Sequence, residues 1–228
     1  MISKNALDRA IAHPMFTARA ALQYVKMHKE IQQIKQKLKS HFNSEDIENF
    51  STGASAGIKE IALYLVVKDA KPDLIIETGV AQGISTYFIL KALKENGKGK
   101  LISIDLPNHK KGGYTMPDGT NDAVYIPEGL ESGWIVPDEL RGNWRLLIGK
   151  SSDKLPELEN EKFDMFIHDS EHSYENMSFE LDWALKHMDK GLIVVDDSER
   201  NNALNDFISK NSKRVNKINN PLSIVAVR

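Results

Sequence analysis

The sequence contains no cysteine among its 228 residues. Disulfide bonds, zinc–thiolate sites and cysteine nucleophiles are therefore excluded, although this absence does not fix the compartment. Long hydrophobic runs are also missing, since stretches such as 61–67 fall far short of the roughly 18 residues that a membrane span needs. Asp8, Arg9 and His13 interrupt the apolar stretch that a signal peptide would need. We therefore expect a cytoplasmic protein with no membrane partner.

A strong charge of one sign is absent as well. Thirty basic and 32 acidic side chains give a formal net charge of −2, so no global positive field favours a nucleic-acid partner. Hydrophobic residues make up 41% of the chain, which is enough for an ordinary globular core. The length fits one α/β domain with a modest addition. We assign residues 1–55 to an N-terminal helical extension and residues 56–228 to the main domain.

Hydrophobic patterning predicts helices in the first part of the chain and an alternation of strands and helices after it. Residues 20–40 and 56–67 have helical patterns. The predicted strands are 74–78, 101–105, 144–148, 163–168, 192–195, 215–218 and 222–227, with a turn at 219–221 between the last two. Predicted helices at 83–96, 153–158, 174–188 and 201–209 separate or follow them. Continuous apolar strands that alternate with helices indicate a parallel sheet covered on both faces.

One segment, residues 107–140, interrupts this alternation. It holds five of the fourteen glycines and four of the eight prolines, together with Tyr114, Tyr125 and Trp134. A loop of this length inside a compact domain is usually functional, and this one leaves the carboxyl end of a predicted strand. We interpret it as a substrate-facing lid. The alternative is a surface insertion with a small core of its own.

A glycine turn follows the first predicted strand. Gly79 and Gly83 let the backbone pass close to a ligand, and the next helix begins with free N–H donors. Glu77 can accept from an ammonium or a hydroxyl group, and Asp105, at the end of the next strand, suits two ribose hydroxyls. The spacing of the glycines differs from the dinucleotide pattern, which disfavours a pyrophosphate ligand. A tight turn that binds no ligand is the alternative.

Carboxylates follow two further strands that the alternation places side by side. Asp169 ends one of them, and Asp196 and Asp197 end the other. Carboxylates at one sheet edge repel each other unless a cation or protons intervene, and oxygen ligands favour Mg²⁺ or a similar divalent ion. His172 lies three residues after Asp169, where it could take a proton from a bound hydroxyl. Alternatively, the aspartates cap helices and His172 is solvated.

Segment 77–83, followed by Ser103-Ile104-Asp105, resembles the first two motifs of class I S-adenosylmethionine-dependent methyltransferases. The resemblance implies that Gly79 to Gly83 line the methionine part of the cofactor and that Asp105 holds its ribose. Segment 147–152 resembles the motif beside the adenine, although Lys150 replaces the usual acid and leaves the contact to Ser151. The cofactor-binding residues that we expect are Glu77, Gly79, Ala81, Gly83, Ser85, Asp105, Ser151 and Asp169. The implied fold is a Rossmann-like, doubly wound, mostly parallel seven-stranded sheet with an antiparallel C-terminal strand and N-terminal helices.

The acidic segments are similar to those of metal-dependent O-methyltransferases. In the catechol and caffeoyl-CoA types, an acid on the fourth strand and an Asp-Asn pair on the fifth hold the ion, and a lysine acts as the base. This chain has His172 in place of that lysine and Asp197 in place of the asparagine, as in the macrolide-sugar type. Segments 133–140 and 168–174 also resemble a broad group of uncharacterised bacterial and archaeal methyltransferases.

The resemblance implies a methyltransferase that acts on a hydroxyl of a small molecule, of which a sugar is one candidate. Its expected metal ligands, for Mg²⁺ or another divalent cation, are Asp169, Asp196 and Asp197, and its expected general base is His172. Two alternatives remain open, a metal-independent methyltransferase of the same fold and a non-catalytic protein that binds S-adenosylmethionine. The N-terminal helices could also supply the contact of a homo-oligomer.

Overall fold

The computed structural model describes residues 14–48, 57–115, 119, 121–218 and 222–228. The charged residues Asp8, Arg9 and His13, the predicted domain boundary at 55–56 and the predicted turn at 219–221 lie outside these ranges. Among the residues that the structure places, no helix combines the length and the hydrophobicity that crossing a bilayer requires.

Seven of the nine strands in the described ranges form one mixed sheet. The strands are β1 Leu74–Thr78, β2 Lys100–Asp105, β3 Tyr114–Thr115, β4 Asn121–Asp122, β5 Trp144–Ile148, β6 Met165–His168, β7 Gly191–Val195, β8 Val215–Ile218 and β9 Ser223–Val227. The order in the large sheet is β5-β2-β1-β6-β7-β9-β8. Strands β5 to β7 in this order are parallel, whereas β9 is antiparallel to both of its neighbours. The predicted doubly wound sheet with an antiparallel C-terminal strand is confirmed.

Eight α-helices and two short 3₁₀ helices connect or cover the strands in the described part of the chain. The α-helices are α1 Pro14–Lys26, α2 His28–Lys39, α3 Ser44–Glu48, α4 Ile58–Ala70, α5 Ile84–Asn96, α6 Ser151–Lys154, α7 Tyr174–His187 and α8 Ala203–Lys210. The 3₁₀ helices are Asp138–Asn143 and Leu155–Leu158. The helix predicted at 153–158 is thus divided, and Pro156, which has no backbone N–H, lies in the first turn of its 3₁₀ part.

Apolar side chains of successive strand residues point to opposite faces of the sheet, and each face has its own core. Ile75 packs in the cluster that includes Ile61 of α4 and Phe88 of α5. Its neighbour Ile76 packs in the other cluster, with Leu181 of α7. This alternation explains why the central strands are apolar throughout, because both of their faces are covered by helices.

The N-terminal helices join the first of these two cores. Ile31, Ile34 and Leu38 of α2 are buried in the same cluster as α4 and α5. The single helix predicted for residues 20–40 is divided at Met27, which has φ −94° and ψ 7°. Met27 is itself buried, and no glycine or proline in the sequence marks this break.

Candidate active site

A cavity of about 1390 Å³ opens at the carboxyl ends of the parallel strands. Strand β1 pairs with β2 on one side and with β6 on the other, and the helices that follow β1 and β6 pack on opposite faces of the sheet. Such a switch point is the usual ligand site of an open α/β sheet. Residues from four strand ends line the cavity: Gly79, Asp105, Asp169 and Asp196. The sequence places these four residues at one sheet edge, and the structure brings them to one cavity wall.

The turn after β1 forms the floor of the cavity and packs directly on the segment after β6. Gly79 has a φ of +85°, and a Cβ atom at this position would overlap the backbone carbonyl oxygen of Asp169. Glycine is therefore required by both the backbone angle and the contact. Ala81 also has a positive φ, 47°, and lines the cavity with Ser85. Gly83, the residue before α5, does not line the cavity; a Cβ atom at this position would overlap the Cα of Gly133.

Asp105 fastens the turn to the strand beside it. Its Oδ1 accepts hydrogen bonds from the backbone N–H groups of Val80, at 2.9 Å, and Ala81, at 3.3 Å. Its Oδ2 accepts from the hydroxyl group of Ser132, which the sequence analysis did not single out. The carboxylate thus holds the turn and the insertion while it faces the cavity.

Glu77 lies behind the cavity wall and is fully buried. Its carboxylate accepts hydrogen bonds from the hydroxyls of Ser85 (3.1 Å), Thr86 (2.9 Å) and Ser103 (2.6 Å). Burial raises the pKa of Glu77 to about 7, against the effect of these three donors. The structure therefore shows Glu77 as a support that ties β1, β2 and α5 together beneath the turn.

The edge formed by β6 and β7 carries the acidic cluster. Carboxylate oxygens of Asp169 and Asp196 and a ring nitrogen of His172 all lie within 4.8 Å of one another. Burial and the nearby Asp196 raise the pKa of Asp169 well above its usual range, although Lys59 opposes this shift. Two carboxylates and an imidazole at these distances form a donor set that suits a divalent cation.

The cluster has an ammonium partner that the sequence analysis missed, Lys59 in the first turn of α4. Its Nζ forms an ion pair with Asp196 and lies 3.3 Å from Oδ1 of Asp197. Asp197 has a positive φ of 44° and also pairs with Arg200, at 2.8 Å. Asp197 therefore turns towards two cationic side chains and does not join the group formed by Asp169, His172 and Asp196.

His172 lines the cavity just before α7 and is only 9% exposed. Its Nε2 is buried and has no hydrogen-bond partner among the described residues. Burial, followed by the proximity of His168, lowers the pKa of His172 to about 4. The imidazole is therefore neutral at pH 7, and a neutral imidazole can accept a proton or ligate a metal. Asn201 donates a hydrogen bond of 2.8 Å to the backbone carbonyl of His172.

Behind the acidic cluster lies a buried polar hub around Glu180 of α7. Glu180 and His168 are both fully buried, and their Oε2 and Nδ1 atoms are 2.7 Å apart. The Glu180 carboxylate also accepts from the hydroxyls of Thr78 (2.5 Å) and Ser170 (2.7 Å). Burial raises the pKa of Glu180, but His168 and the hydroxyl donors around the carboxylate together outweigh this effect and leave the pKa below its usual value. The hub fixes α7 to the ends of β1 and β6.

The segment after β5 lines the opposite side of the cavity. Gly149, Lys150 and Ser151 all face it. The backbone N–H of Gly149 donates to the carbonyl of Asp105 at 2.9 Å, which keeps this segment against β2. Ser151 Oγ donates to Asn176 of α7 at 3.2 Å.

The insertion forms one wall of the cavity and is attached to the glycine turn through Gln82. The side-chain Nε2 of Gln82 donates to the carbonyl of Tyr125 (2.7 Å), and Trp134 Nε1 donates to Oε1 of Gln82 (2.5 Å). The backbone N–H of Ile135 donates to the Gln82 carbonyl at 3.1 Å. Cavity-lining residues of the insertion include Asn108, Asp122, Val124, Tyr125 and Ile126. Described residues of the insertion thus line the cavity, and the role of the insertion as a lid stays a prediction.

Comparison with known protein families gives a match over residues 76–198, with a family described as a methyltransferase domain. This match covers more than half of the 228 residues and includes the turn, the acidic cluster and the insertion. The chain belongs to this methyltransferase family. A search of curated proteins finds no match for the methyltransferase.

Solved structures similar to this methyltransferase share its fold at low sequence identity. The SAH-bound methyltransferase PaMTH1 of Podospora anserina is 13% identical, with a TM-score of 0.58 over 87% of each chain. An O-methyltransferase from Bacillus cereus, crystallised with SAH, is 15% identical, with a TM-score of 0.55 over 87% of this chain and 90% of that one. TomG of Streptomyces achromogenes, an O-methyltransferase crystallised with SAM, is 15% identical, with a TM-score of 0.52 over 95% and 91%.

Most of the predicted site residues of the methyltransferase share the cavity. Those that line it are Gly79, Ala81, Ser85, Asp105, Ser151, Asp169, His172, Asp196 and Asp197. Glu77 and Gly83 support the turn from behind. Lys59, Gln82 and Ser132 were missed because their partners are distant in sequence; Lys59 and Asp197, for example, are 138 positions apart.

Proposed function

We propose that this methyltransferase transfers the methyl group of S-adenosylmethionine to a hydroxyl group of a small molecule and uses a divalent cation such as Mg²⁺. The observation that carries the proposal is that Asp169, His172 and Asp196 stand together on the wall of the cavity that contains the glycine turn. A sugar hydroxyl is one candidate acceptor.

The residues of the cavity fit the proposed cofactor. The cavity of about 1390 Å³ exceeds the roughly 300–1,000 Å³ of common small-molecule sites, which leaves room for a cofactor and an acceptor together. Gly79 has no side chain and exposes its backbone to the cavity, and Asp105, whose Oδ1 already accepts from two backbone N–H groups, can offer Oδ2 to a ribose hydroxyl. Direct contacts are proposed for Gly79, Ala81, Ser85, Asp105, Ser151 and Asp169, with Glu77 and Gly83 shaping the turn. When bound, S-adenosylmethionine would supply an electrophilic methyl group.

The acidic edge fits a divalent cation. Asp169 and Asp196 supply hard oxygen donors, and the buried Nε2 of His172 lacks the hydrogen-bond partner that a buried nitrogen normally has. Asp197 was expected to be a third ligand, and its pairs with Lys59 and Arg200 favour a supporting role. A bound divalent ion would supply positive charge beside an acceptor hydroxyl and so favour its ionised form.

His172 has two possible roles in this proposal, and both require its neutral form. As the general base it would take the proton of the acceptor hydroxyl, and as a ligand it would complete the donor set with Asp169 and Asp196. The pKa of about 4 keeps the imidazole neutral throughout the neutral pH range. Measurement of metal binding to His172→Ala separates the two roles. If His172 is a metal ligand, the variant loses metal affinity. If His172 is only the general base, the variant binds the metal as the wild type does.

A metal-independent methyltransferase is the second candidate, and one observation favours it. Lys59 already places a cation on Asp196 and Asp197, so the edge has a counter-charge of its own. The third candidate, a protein that binds the cofactor without transferring a methyl group, requires a cavity with no space for an acceptor. The cavity volume of about 1390 Å³ makes it the least favoured of the three.

The test measures cofactor binding and turnover separately. Calorimetry should show that wild type and His172→Ala bind S-adenosylhomocysteine equally well. With a panel of hydroxylated acceptors, formation of S-adenosylhomocysteine should fall by about 10²–10⁴-fold in His172→Ala, the usual contribution of a general base. His28→Ala, at an exposed histidine of α2, is the control. Unchanged turnover in His172→Ala would reject the assigned role, and turnover that survives chelators would favour the metal-independent reaction.

A further inference from the structure

The ammonium group of Lys59 pairs with a carboxylate that the proposed metal would need. Its Nζ pairs with Asp196, which belongs to the donor group with Asp169 and His172. Lys59 lies on α4, whereas the donor group lies after β6 and β7, so this contact joins two separate parts of the fold.

The two neighbouring aspartates differ in how much they depend on Lys59. Asp197 uses its other oxygen, Oδ2, to accept from Arg200 Nε at 2.9 Å, so it keeps a cationic partner if Lys59 moves. Lys59 is the one cation that an ion pair links to Asp196 in the described ranges. Its side chain is 49% exposed and forms a long flexible tether, which allows the ammonium to leave Asp196 without a change in the backbone.

We propose that Lys59 is a built-in competitor of the divalent cation and sets the affinity of the methyltransferase for it. Without a divalent ion, the ammonium neutralises Asp196. When the ion binds, the ammonium moves away from Asp196, towards Asp197 or solvent. This inference rests on the metal site of the proposed function and adds a residue that determines how tightly that site holds an ion.

The charges near the site explain why the competition matters. An ammonium and a divalent ion on the same carboxylate repel each other, since charges a few ångströms apart interact appreciably even at the dielectric constant of water. Removing the ammonium should therefore improve metal affinity by about tenfold or more. The same removal should leave the ion-free protein with uncompensated repulsion between Asp169 and Asp196.

The test measures Mn²⁺ binding directly by electron paramagnetic resonance, in the wild type and in Lys59→Met, which retains the length of the side chain without its charge. We expect Lys59→Met to bind Mn²⁺ at least about tenfold more tightly than the wild type. Lys59→Arg keeps the charge and should bind much like the wild type. Lys68→Met is the matched control, because Lys68 lies on the same helix and pairs with Glu95 instead of the acidic cluster.

A second measurement uses only the wild type and remains decisive if Lys59→Met does not fold. Acetylation of lysines by acetic anhydride, followed by mass spectrometry, should modify Lys59 several-fold faster with saturating Mg²⁺ than with a chelator. The rate at Lys68 should not change. If the wild type binds the divalent ion, equal rates at Lys59 in both conditions would overturn the competition.

The outcomes separate this inference from the metal proposal. If the wild type binds Mn²⁺ and Lys59→Met binds no more tightly, the competition is refuted and the metal site stands. If only Lys59→Met binds, the competition is supported and the wild type does not depend on metal. If neither protein binds Mn²⁺, both proposals fail.

Discussion

Replacement of Glu77 by glutamine tests the electrostatics beneath the glycine turn. Glu77 is fully buried, and its pKa is about 7 against an ordinary value of 4.5. The folded protein thus holds the proton of this carboxyl more tightly than the unfolded chain does. Its contribution to stability is complete below pH 4.5 and is lost as the pH rises through about 7. The shift corresponds to roughly 3 kcal/mol, and glutamine, which has no proton to lose, removes this dependence.

The substitution is compatible with the local hydrogen bonds. The hydroxyls of Ser85, Thr86 and Ser103, which donate to the carboxylate, can also accept from the amide of a glutamine. The free energy of unfolding of Glu77→Gln should therefore gain about 3 kcal/mol relative to the wild type as the pH is raised from 4.5 to 8.

Urea denaturation of both proteins at pH 5, 6, 7 and 8 measures this difference. Subtraction of the two curves removes the titrations that the proteins have in common. Glu159→Gln, at an exposed position, controls for the loss of a carboxylate as such. A difference that stays constant from pH 5 to 8 would refute the reasoning, because it would mean that the three hydroxyl donors outweigh burial and keep Glu77 ionised in the fold.

Two further substitutions test the packing of the site, both by denaturant unfolding. Gly79→Ala should destabilise the fold by several kcal/mol, because its Cβ would overlap the carbonyl of Asp169. The control is Gly97→Ala, which has a similar φ but open space around it and should lower the stability by only about 1–2 kcal/mol. Equal costs would exclude the close contact. Glu180→Ala should cost about 3–5 kcal/mol, since it leaves His168 buried without its partner. The exposed Asp182→Ala on the same helix should cost less than about 1 kcal/mol, and a similar loss in both variants would argue against the buried hub.

The strands were largely predictable from the sequence because short apolar runs between turn residues define them. The predictions at 74–78, 144–148 and 215–218 agree with the structure to the residue. The break at Met27 could not be predicted, since no glycine or proline marks it and side chains on both sides of it join the same core. A helical pattern reports which face is buried, but it does not report a bend of this kind.

The strand-end residues of the site were predictable for a topological reason, whereas their partners were not. The carboxyl ends of parallel strands meet at one edge, so Asp105, Asp169 and Asp196 were expected to share a cleft. Lys59 and Ser132 reach the same carboxylates from a helix and from the insertion, and no spacing in the sequence indicates such contacts. The positive φ of Asp197, which turns it towards Lys59 and Arg200, has no sequence signal either, since glycine is absent there.

The hydrogen bonds of Gln82 couple the movement of the glycine turn to the movement of the insertion. Its side chain and backbone hold Tyr125, Trp134 and Ile135, which belong to two different stretches of the insertion. A displacement of the turn alone would have to break these three hydrogen bonds, each worth about 0.5–1.5 kcal/mol. The floor and the side wall of the cavity therefore move as one mechanical unit. An ordering of the floor is transmitted to the wall through Gln82 together with Ala81, whose carbonyl accepts from the backbone N–H of Gly133 at 2.8 Å.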